Sequence, residues 1–200
     1  MTDPTRPRIR PGSRAEIGGV NAVTTRAIGA ATGGRPPNLF TTVAKHRRLY
    51  RAWLRFAAAL MPGGDLPRAE SELVILRVAH NHECTYEWRH HEHLAQRAGL
   101  SAADVDRVRT GPNAPGWSPR QSALLMAADE LHENRVLGEA TWQRLRQHLS
   151  ETEQIELLML IGHYAMLAML LNSLQVEPDP PPSAPSGLVG RIAMKVADRR

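Results

Sequence analysis

The chain has 200 residues, of which 42% are hydrophobic and 22% charged, a composition that suits one globular domain with a packed core. Its formal net charge of +5 is uneven, because residues 1–51 carry ten Lys/Arg and two acids, whereas residues 52–200 carry fifteen Lys/Arg and eighteen acids. The basic excess therefore belongs to the leading segment, and the body lacks the basic stripe and the aromatic residues typical of a specific nucleic-acid binder.

The leading segment, residues 1–36, mixes Pro, Gly, Thr and Arg without sustained periodicity, which predicts a flexible basic leader. It has no apolar region of the kind that a secretory signal needs. The single cysteine, Cys84, excludes an internal disulfide and gives no sign of an oxidising compartment. We therefore expect a cytoplasmic protein.

The first half of the body reads as three helices. Pro37 begins a helix that runs to about residue 61, where a Pro-Gly-Gly sequence ends it. A second helix follows from Pro67 to about residue 80. A third covers residues 83–98 and ends at Gly99, a residue type common just past helix C-termini.

The second half of the body continues in the same way. Ser101 opens a short helix, and Ser118 opens another through a capping box with Gln121. A helix over residues 140–149 precedes a second capping box, at 150–153, which opens a long apolar helix reaching about residue 174. Strand signals are weak throughout, so the sequence predicts an all-α fold.

The long last helix is apolar on all sides, so it must be buried on all sides, and contacts between copies would make this easier. We therefore expect a homo-oligomer. The apolar run is shorter than a membrane span needs, and Glu156 and His163 interrupt it, so we expect no membrane span. The domain, residues 37–176, is followed by a Pro-rich linker at 177–187 and a short amphipathic basic tail at 188–200.

Reactive side chains concentrate between Glu72 and residue 93. On one helix, residues three, four and seven apart share a face, so Cys84, Glu87 and His91 lie together, whereas Tyr86 lies on a different face. Glu72, on the preceding helix, reaches this face only if the two helices pack as a hairpin.

Two kinds of chemistry are open at this point. Cys84 lies in the first turn of its helix, where the helix dipole and free amides should lower the thiol pKa. His91 is two turns away, so a water, Glu87 or the substrate would have to bridge it to the sulfur. Five histidines between residues 80 and 93, with Cys84, offer metal-ligand atoms, but no recognised zinc spacing is present, and we expect neither metal nor cofactor.

The run from Glu72 to Ala79, the sequence Cys84-Thr-Tyr-Glu-Trp88, His91 and the sequence Ala98-Gly-Leu-Ser101 together resemble the carboxymuconolactone decarboxylase and alkylhydroperoxidase D superfamily. The resemblance implies a helical bundle of the alkylhydroperoxidase D type that assembles into trimers or hexamers. Its peroxidase branch has a Glu, a Cys-x-x-Cys pair and a His at the positions of Glu72, Cys84 and His91. The second cysteine of that pair is replaced here by Glu87, which cannot form a disulfide.

The resemblance therefore leaves three functions open. The leading expectation is a small-molecule enzyme in which Glu72 and His91 do acid–base work on an organic acid or lactone, with Tyr86 and Glu87 binding the substrate. The first alternative is a peroxidase that uses Cys84 alone and an external thiol reductant. The second is a helical oligomer that serves as a binding scaffold without catalysis.

Overall fold

The computed structural model describes residues 6–32 and 34–179, and the predicted basic tail at 188–200 lies outside this range. These described residues contain helices and no strand, which confirms the all-α prediction. The helices are α1 (Arg14–Ile17), α2 (Gly19–Thr32), α3 (Asn38–Val43), α4 (Arg47–Leu60), α5 (Arg68–Asn81), α6 (Thr85–Arg97), α7 (Ala102–Thr110), α8 (Pro119–Asn134), α9 (Glu139–Arg146) and α10 (Glu151–Leu174).

The chain divides into two compact units. Of the described residues, the first unit combines those up to residue 58 with those from residue 173 onward, and the second is continuous from 59 to 172. The single domain predicted over 37–176 is therefore not one compact unit, because its first helices group with the leader. The candidate site residues of the sequence all fall in the second unit.

The prediction of a flexible leader is wrong for the segment that forms α1 and α2. Ser13 and Glu16 form a capping box that starts α1, and the side chain of Ile17 is buried with Ala44 and Tyr50. Asn21 is also buried. Tertiary burial therefore stabilises helices whose own apolar periodicity is too weak to predict them.

The single helix predicted over residues 37–61 is two helices in the structure, α3 and α4. The chain turns between them, where the amides of Lys45 and His46 donate to the carbonyls of Thr42 and Val43, three residues back. Ala44 at this turn is fully buried beside Tyr50. The break contains no Pro or Gly. We infer that the packing of Ala44, rather than a local backbone preference, decides where the helix is interrupted.

In the second unit, α5 is the central helix and is buried on nearly every side between α6, α7 and α8. Its side chains form a core with residues of those helices and of the loop after α6, and the members are Leu73, Leu76, Ala79, Trp88, Ala95, Leu100, Val105, Val108 and Leu125. A charged side chain on α5 that faces this interior is therefore removed from water, which applies directly to Glu72.

A tight turn joins α5 to α6 and sets the geometry of the site. Glu83 adopts a left-handed conformation with φ of 51°. The amide of Cys84 donates to the carbonyl of Ala79 at 2.8 Å, and the amide of Glu83 donates to that of His80 at 3.0 Å. The chain thus reverses within three residues, and α5 and α6 pack as the hairpin that the site hypothesis needs.

The capping boxes predicted for α8 and α10 are both present. Ser118 pairs with Gln121 at the start of α8, and the amide of Ser150 donates to the Glu153 carboxylate at 2.8 Å at the start of α10. By length and composition α10 could cross a membrane, which alone is weak evidence for a span, and 44% of its apolar window is buried in the fold.

Complete burial of α10 was predicted, and in this chain it is only partial. One face remains exposed, and its large apolar residues are Ile155, Met159, Met166 and Met169.

Candidate active site

Three charged side chains meet in the interior of the α5–α6 hairpin. Glu72 Oε2 lies 2.7 Å from His91 Nδ1, and Glu87 Oε2 lies 3.2 Å from His91 Nε2. All three residues are at most 5% exposed. Both imidazole nitrogens therefore face carboxylate oxygens, and the imidazolium is the form that can donate a hydrogen bond to each.

The electrostatics agree with this protonation state. Burial alone would lower the pKa of His91, but the carboxylates of Glu72 and Glu87 outweigh it and raise the pKa to about 9. Burial likewise opposes ionisation of Glu72, yet His91 and Arg68 hold the pKa of Glu72 below its usual value. Arg68 Nη2 lies 2.5 Å from Glu72 Oε1 in an ion pair without hydrogen-bond alignment. Two anions and two cations thus balance in the site.

Two carboxylate oxygens in this cluster lack a hydrogen-bond donor, namely Glu72 Oε1, which is ion-paired with Arg68, and Glu87 Oε1. Glu87 Oε1 is buried and has no partner among the described residues, although Glu87 Oε2 faces His91. A buried carboxylate oxygen without a donor is costly, so the site holds an acceptor that is ready for a proton or a donor group.

Aromatic side chains of α10 close the cluster on another side. The ring of Tyr164 packs edge to face against His91, with ring centroids 5.0 Å apart. Burial and the nearby carboxylates raise the pKa of Tyr164 well above its usual value, so the phenol stays protonated. His163 is also buried, and burial lowers its pKa, so it is neutral at pH 7.

Cys84 precedes α6 as its N-cap residue and is only 1% exposed. The prediction that the helix N-terminus lowers its pKa is wrong. Burial raises the pKa of the thiol to about 11, and the charge of Glu87 adds to this, whereas the amides of Glu87 and Tyr86 offset only part of it. The resting residue is a protonated thiol that needs a base before it can react.

An open cleft of about 690 Å³ lies beside this cluster, within the range of small-molecule sites. Cys84 lines it, whereas Glu72, Glu87 and His91 do not. The other lining residues are Ala79, His80, Asn81, Glu83, Thr85, Trp88, Arg89, Glu92, Arg109 and His132. Of the four clustered residues, only Cys84 is within reach of a ligand in this cleft.

The structure brings together four of the five predicted site residues and separates one. Tyr86 is buried, its ring stacks with His90, and it does not line the cleft, so a direct substrate contact there is not available. Arg68 and Tyr164 were not predicted. Arg68 could have been found four residues before Glu72 on the same helix face. Tyr164 could not, because no local pattern links α10 to α6.

In the part of the chain that the structure describes, no group of three or more His, Cys, Asp or Glu residues is arranged to hold a metal ion. The buried cluster can instead hold and move a proton. His91 stores it between two carboxylates, and the free oxygen of Glu87 can take one from a neighbouring group.

Solved structures share this fold. A peroxidase-related protein from Ralstonia eutropha JMP134, described as an alkylhydroperoxidase AhpD core, aligns with a TM-score of 0.78 and 20% identity over 89% of this chain and 94% of its own. A peroxidase-related protein from Silicibacter sp. TM1040 aligns with 0.75 and 17% over 90% and 95%. The debrominase Bmp8 aligns with 0.74 and 16% over 94% and 97%. No curated protein matches the sequence.

These alignments define the class as an all-helical protein of the alkylhydroperoxidase D-like fold. The carboxymuconolactone decarboxylase family model matches residues 47–130, which include Glu72, Cys84, Glu87 and His91. The family model thus covers the part of the chain that holds these four residues, and the likeness to the solved structures extends the shared fold over most of the chain.

Proposed function

We propose that the protein is a single-cysteine peroxidase that reduces organic hydroperoxides at Cys84 and is regenerated by an external thiol. One observation supports this above the others. Among the four clustered site residues, Cys84 alone lines the open cleft, while Glu87, whose charge raises its pKa, stands behind it. A substrate in the cleft reaches sulfur, and the sulfur has a proton acceptor within the protein.

The reaction balances with these groups. The sulfur of Cys84 attacks one oxygen of the peroxide, the O–O bond breaks, and the thiol becomes a sulfenic acid while an alcohol leaves. Two molecules of external thiol then restore Cys84, with release of water and a disulfide. Glu87 cannot act as a resolving thiol, so the reductant must come from solution.

Glu87 is the proposed base for the thiol proton. Its unpartnered oxygen Oε1 can accept that proton, and protonation removes the negative charge that opposes a thiolate at Cys84. His91, kept cationic by Glu72 and Glu87, remains as a positive charge beside the protonated Glu87. The protonated Glu87 returns its proton to the departing alkoxide, so one carboxyl group serves both halves of the step.

The relatives support the same reading without deciding the substrate. Two of the structural neighbours are peroxidase-related proteins. The debrominase Bmp8 has also been solved as a cysteine-to-alanine variant with 2,3,4-tribromopyrrole bound. Brominated pyrroles therefore form a second substrate panel. The acid–base enzyme acting on an organic acid or lactone remains the rival, although Glu72 and His91 would have to act through groups nearer the cleft.

The test is saturation kinetics with an organic hydroperoxide and added thiol, together with intact mass and a sulfenic-acid trap. We expect saturable turnover, one added oxygen at Cys84, and loss of both in Cys84→Ser. Glu87→Gln should reduce turnover strongly. Glu133→Gln removes an exposed carboxylate that does not line the cleft and should retain activity, which makes it the control.

Oxidation of Cys84 no faster than that of a small free thiol would overturn the peroxidase proposal. Full turnover of a lactone or small carboxylate by Cys84→Ser, with loss in His91→Gln, would establish the acid–base enzyme instead. Absence of turnover on every panel, with ligand binding retained in all variants, would establish the scaffold.

We also propose that the protein is a homo-oligomer, as its sequence predicts. The exposed residues Ile155, Met159, Met166 and Met169 form an apolar face on α10 that association would cover. Light scattering on the purified protein should give a trimer or hexamer, and Met159→Glu with Met166→Glu should lower the mass. A monomeric wild-type protein contradicts this.

A further inference from the structure

Two exposed arginines of the Cys84 cleft differ from four other arginines of the second unit. Four arginines of the second unit form ion pairs with carboxylates: Arg68 with Glu72, Arg77 with Asp129, Arg107 with Asp104 and Arg120 with Glu70. Arg89 and Arg109 line the cleft, and neither has a carboxylate partner among the described residues. The cleft therefore presents two guanidinium groups that no carboxylate of the described residues neutralises.

Arg109 is also held in place. Its guanidinium carbon lies 3.7 Å from the centroid of the Trp88 ring, and Trp88 is buried. The ring of His80 packs edge to face with Trp88, with centroids 6.2 Å apart. Stacking on an aromatic face fixes the plane of a guanidinium and leaves its N–H edges free for a planar anion.

We propose that the substrate of this cleft carries a carboxylate or a similar planar anionic group, which Arg109 and Arg89 bind while the reactive end of the molecule meets Cys84. The proposal rests on the proposed role of Cys84 as the reacting group. Glu83 and Glu92 line the same cleft, so its charge is divided. An anionic group is favoured only beside the arginines, and this orients the substrate as well as binding it.

A pair of thiol reagents tests this without requiring turnover. N-(4-carboxyphenyl)maleimide and N-phenylmaleimide share a reactive group and a flat ring but differ by one negative charge. Cys84 is the only cysteine of the chain, so intact mass reports modification at one known site. The quantity compared is the ratio of the two rates, anionic over neutral, because the ratio cancels changes in thiol pKa and accessibility.

We expect this ratio to exceed that of a small free thiol by roughly fivefold at low ionic strength and to fall as salt is added. Arg109→Gln and Arg89→Gln should each lower the ratio. Arg146→Gln removes an exposed arginine of α9 that does not line the cleft, and it should leave the ratio unchanged. Because Arg109 packs on Trp88, a thermal melt of Arg109→Gln accompanies the test, and Arg89→Gln gives the same information without that contact.

A wild-type ratio equal to that of the free thiol, unchanged in both cleft variants, overturns the anionic-substrate proposal. The result is independent of the peroxidase proposal, because alkylation does not need peroxide reduction. A raised ratio in a protein that does not react with hydroperoxides would leave the anion site standing and remove the peroxidase. Peroxidase activity with no preference between a carboxylated hydroperoxide and its methyl ester would support the peroxidase proposal and overturn the anion site.

Discussion

Two polar clusters lie on opposite ends of α5, and they are built differently. Near its C-terminal end, Arg77 donates from Nε and Nη2 to the two oxygens of Asp129 at 2.5 and 2.8 Å, and Asn81 donates to the same carboxylate at 2.8 Å. Arg77 Nη1 donates to the carbonyls of Val108 and Arg109. This cluster ties α5 to α8 and to the end of α7.

The cluster of Glu72, His91 and Glu87 is more deeply buried, yet it is less complete. It leaves Glu87 Oε1 without a donor and shifts the pKa of His91 to about 9. A satisfied ion pair stabilises a fold, whereas an unsatisfied one with displaced pKa values is typical of a site that moves protons. The contrast separates a structural cluster from a candidate catalytic one on the same helix.

The largest effect should come from His91→Ala. The substitution leaves Glu72 and Glu87 buried without the cation between them, and breaking a buried pair in this way costs about 3–5 kcal/mol. Urea unfolding measures the loss. A free energy of unfolding within about 0.5 kcal/mol of wild type would show that the two carboxylates do not depend on His91.

The pH dependence of stability should follow from the same residue. The pKa of His91 is raised from an ordinary 6.5 to about 9 by folding, so its contribution is complete below pH 6.5 and is lost as pH rises through 9. The lowered pKa of Glu72 adds stability above about pH 4.5 that is lost on acidification. We expect the thermal midpoint to be highest between these limits and to fall from pH 6.5 to 9.

His91→Gln is the control for this pH dependence, because it should lose the alkaline decline. A wild-type midpoint that stays constant between pH 6.5 and 9 would contradict the assignment of a cationic His91.

Asp129→Asn should have a smaller and purely structural effect. It weakens the hydrogen bonds from Arg77 and Asn81 but leaves the carbonyl contacts of Arg77, and we expect a loss of about 1–3 kcal/mol in unfolding free energy. The alkylation rate of Cys84 should not change. A changed rate would show that the two clusters are coupled through α5.

The smallest expected effect tests most directly whether the cluster around His91 moves protons. Glu87→Gln removes a charge that raises the Cys84 pKa, so the thiol should alkylate faster at pH 8 because a larger fraction of it is thiolate. Peroxide turnover should nevertheless fall, because the proton acceptor is lost. Iodoacetamide kinetics with Glu133→Gln as control measure the first effect, and parallel changes in both rates would refute the role of Glu87 as base.

Local patterns were enough for several elements. The capping residues Ser118 and Ser150 and the terminator Gly99 mark helix ends through contacts within a few residues, and such signals are legible in a sequence. The break at Ala44 and the helix α2 were missed because each depends on burial against residues more than ten positions away. The apolar periodicity of a helix carries no information about those long-range contacts.

The sequence by itself determined the residue types of the site and their faces, since helical spacing places Cys84, Glu87 and His91 together. Only the tertiary structure decided their chemical states. The hairpin turn at Glu83 brings Glu72 to His91, and the carboxylates of Glu72 and Glu87 keep His91 a cation despite its burial. Burial by neighbouring helices makes the thiol of Cys84 a poor acid. The pKa depends on which charges and how much water surround a group, and those surroundings exist only once the helices have packed.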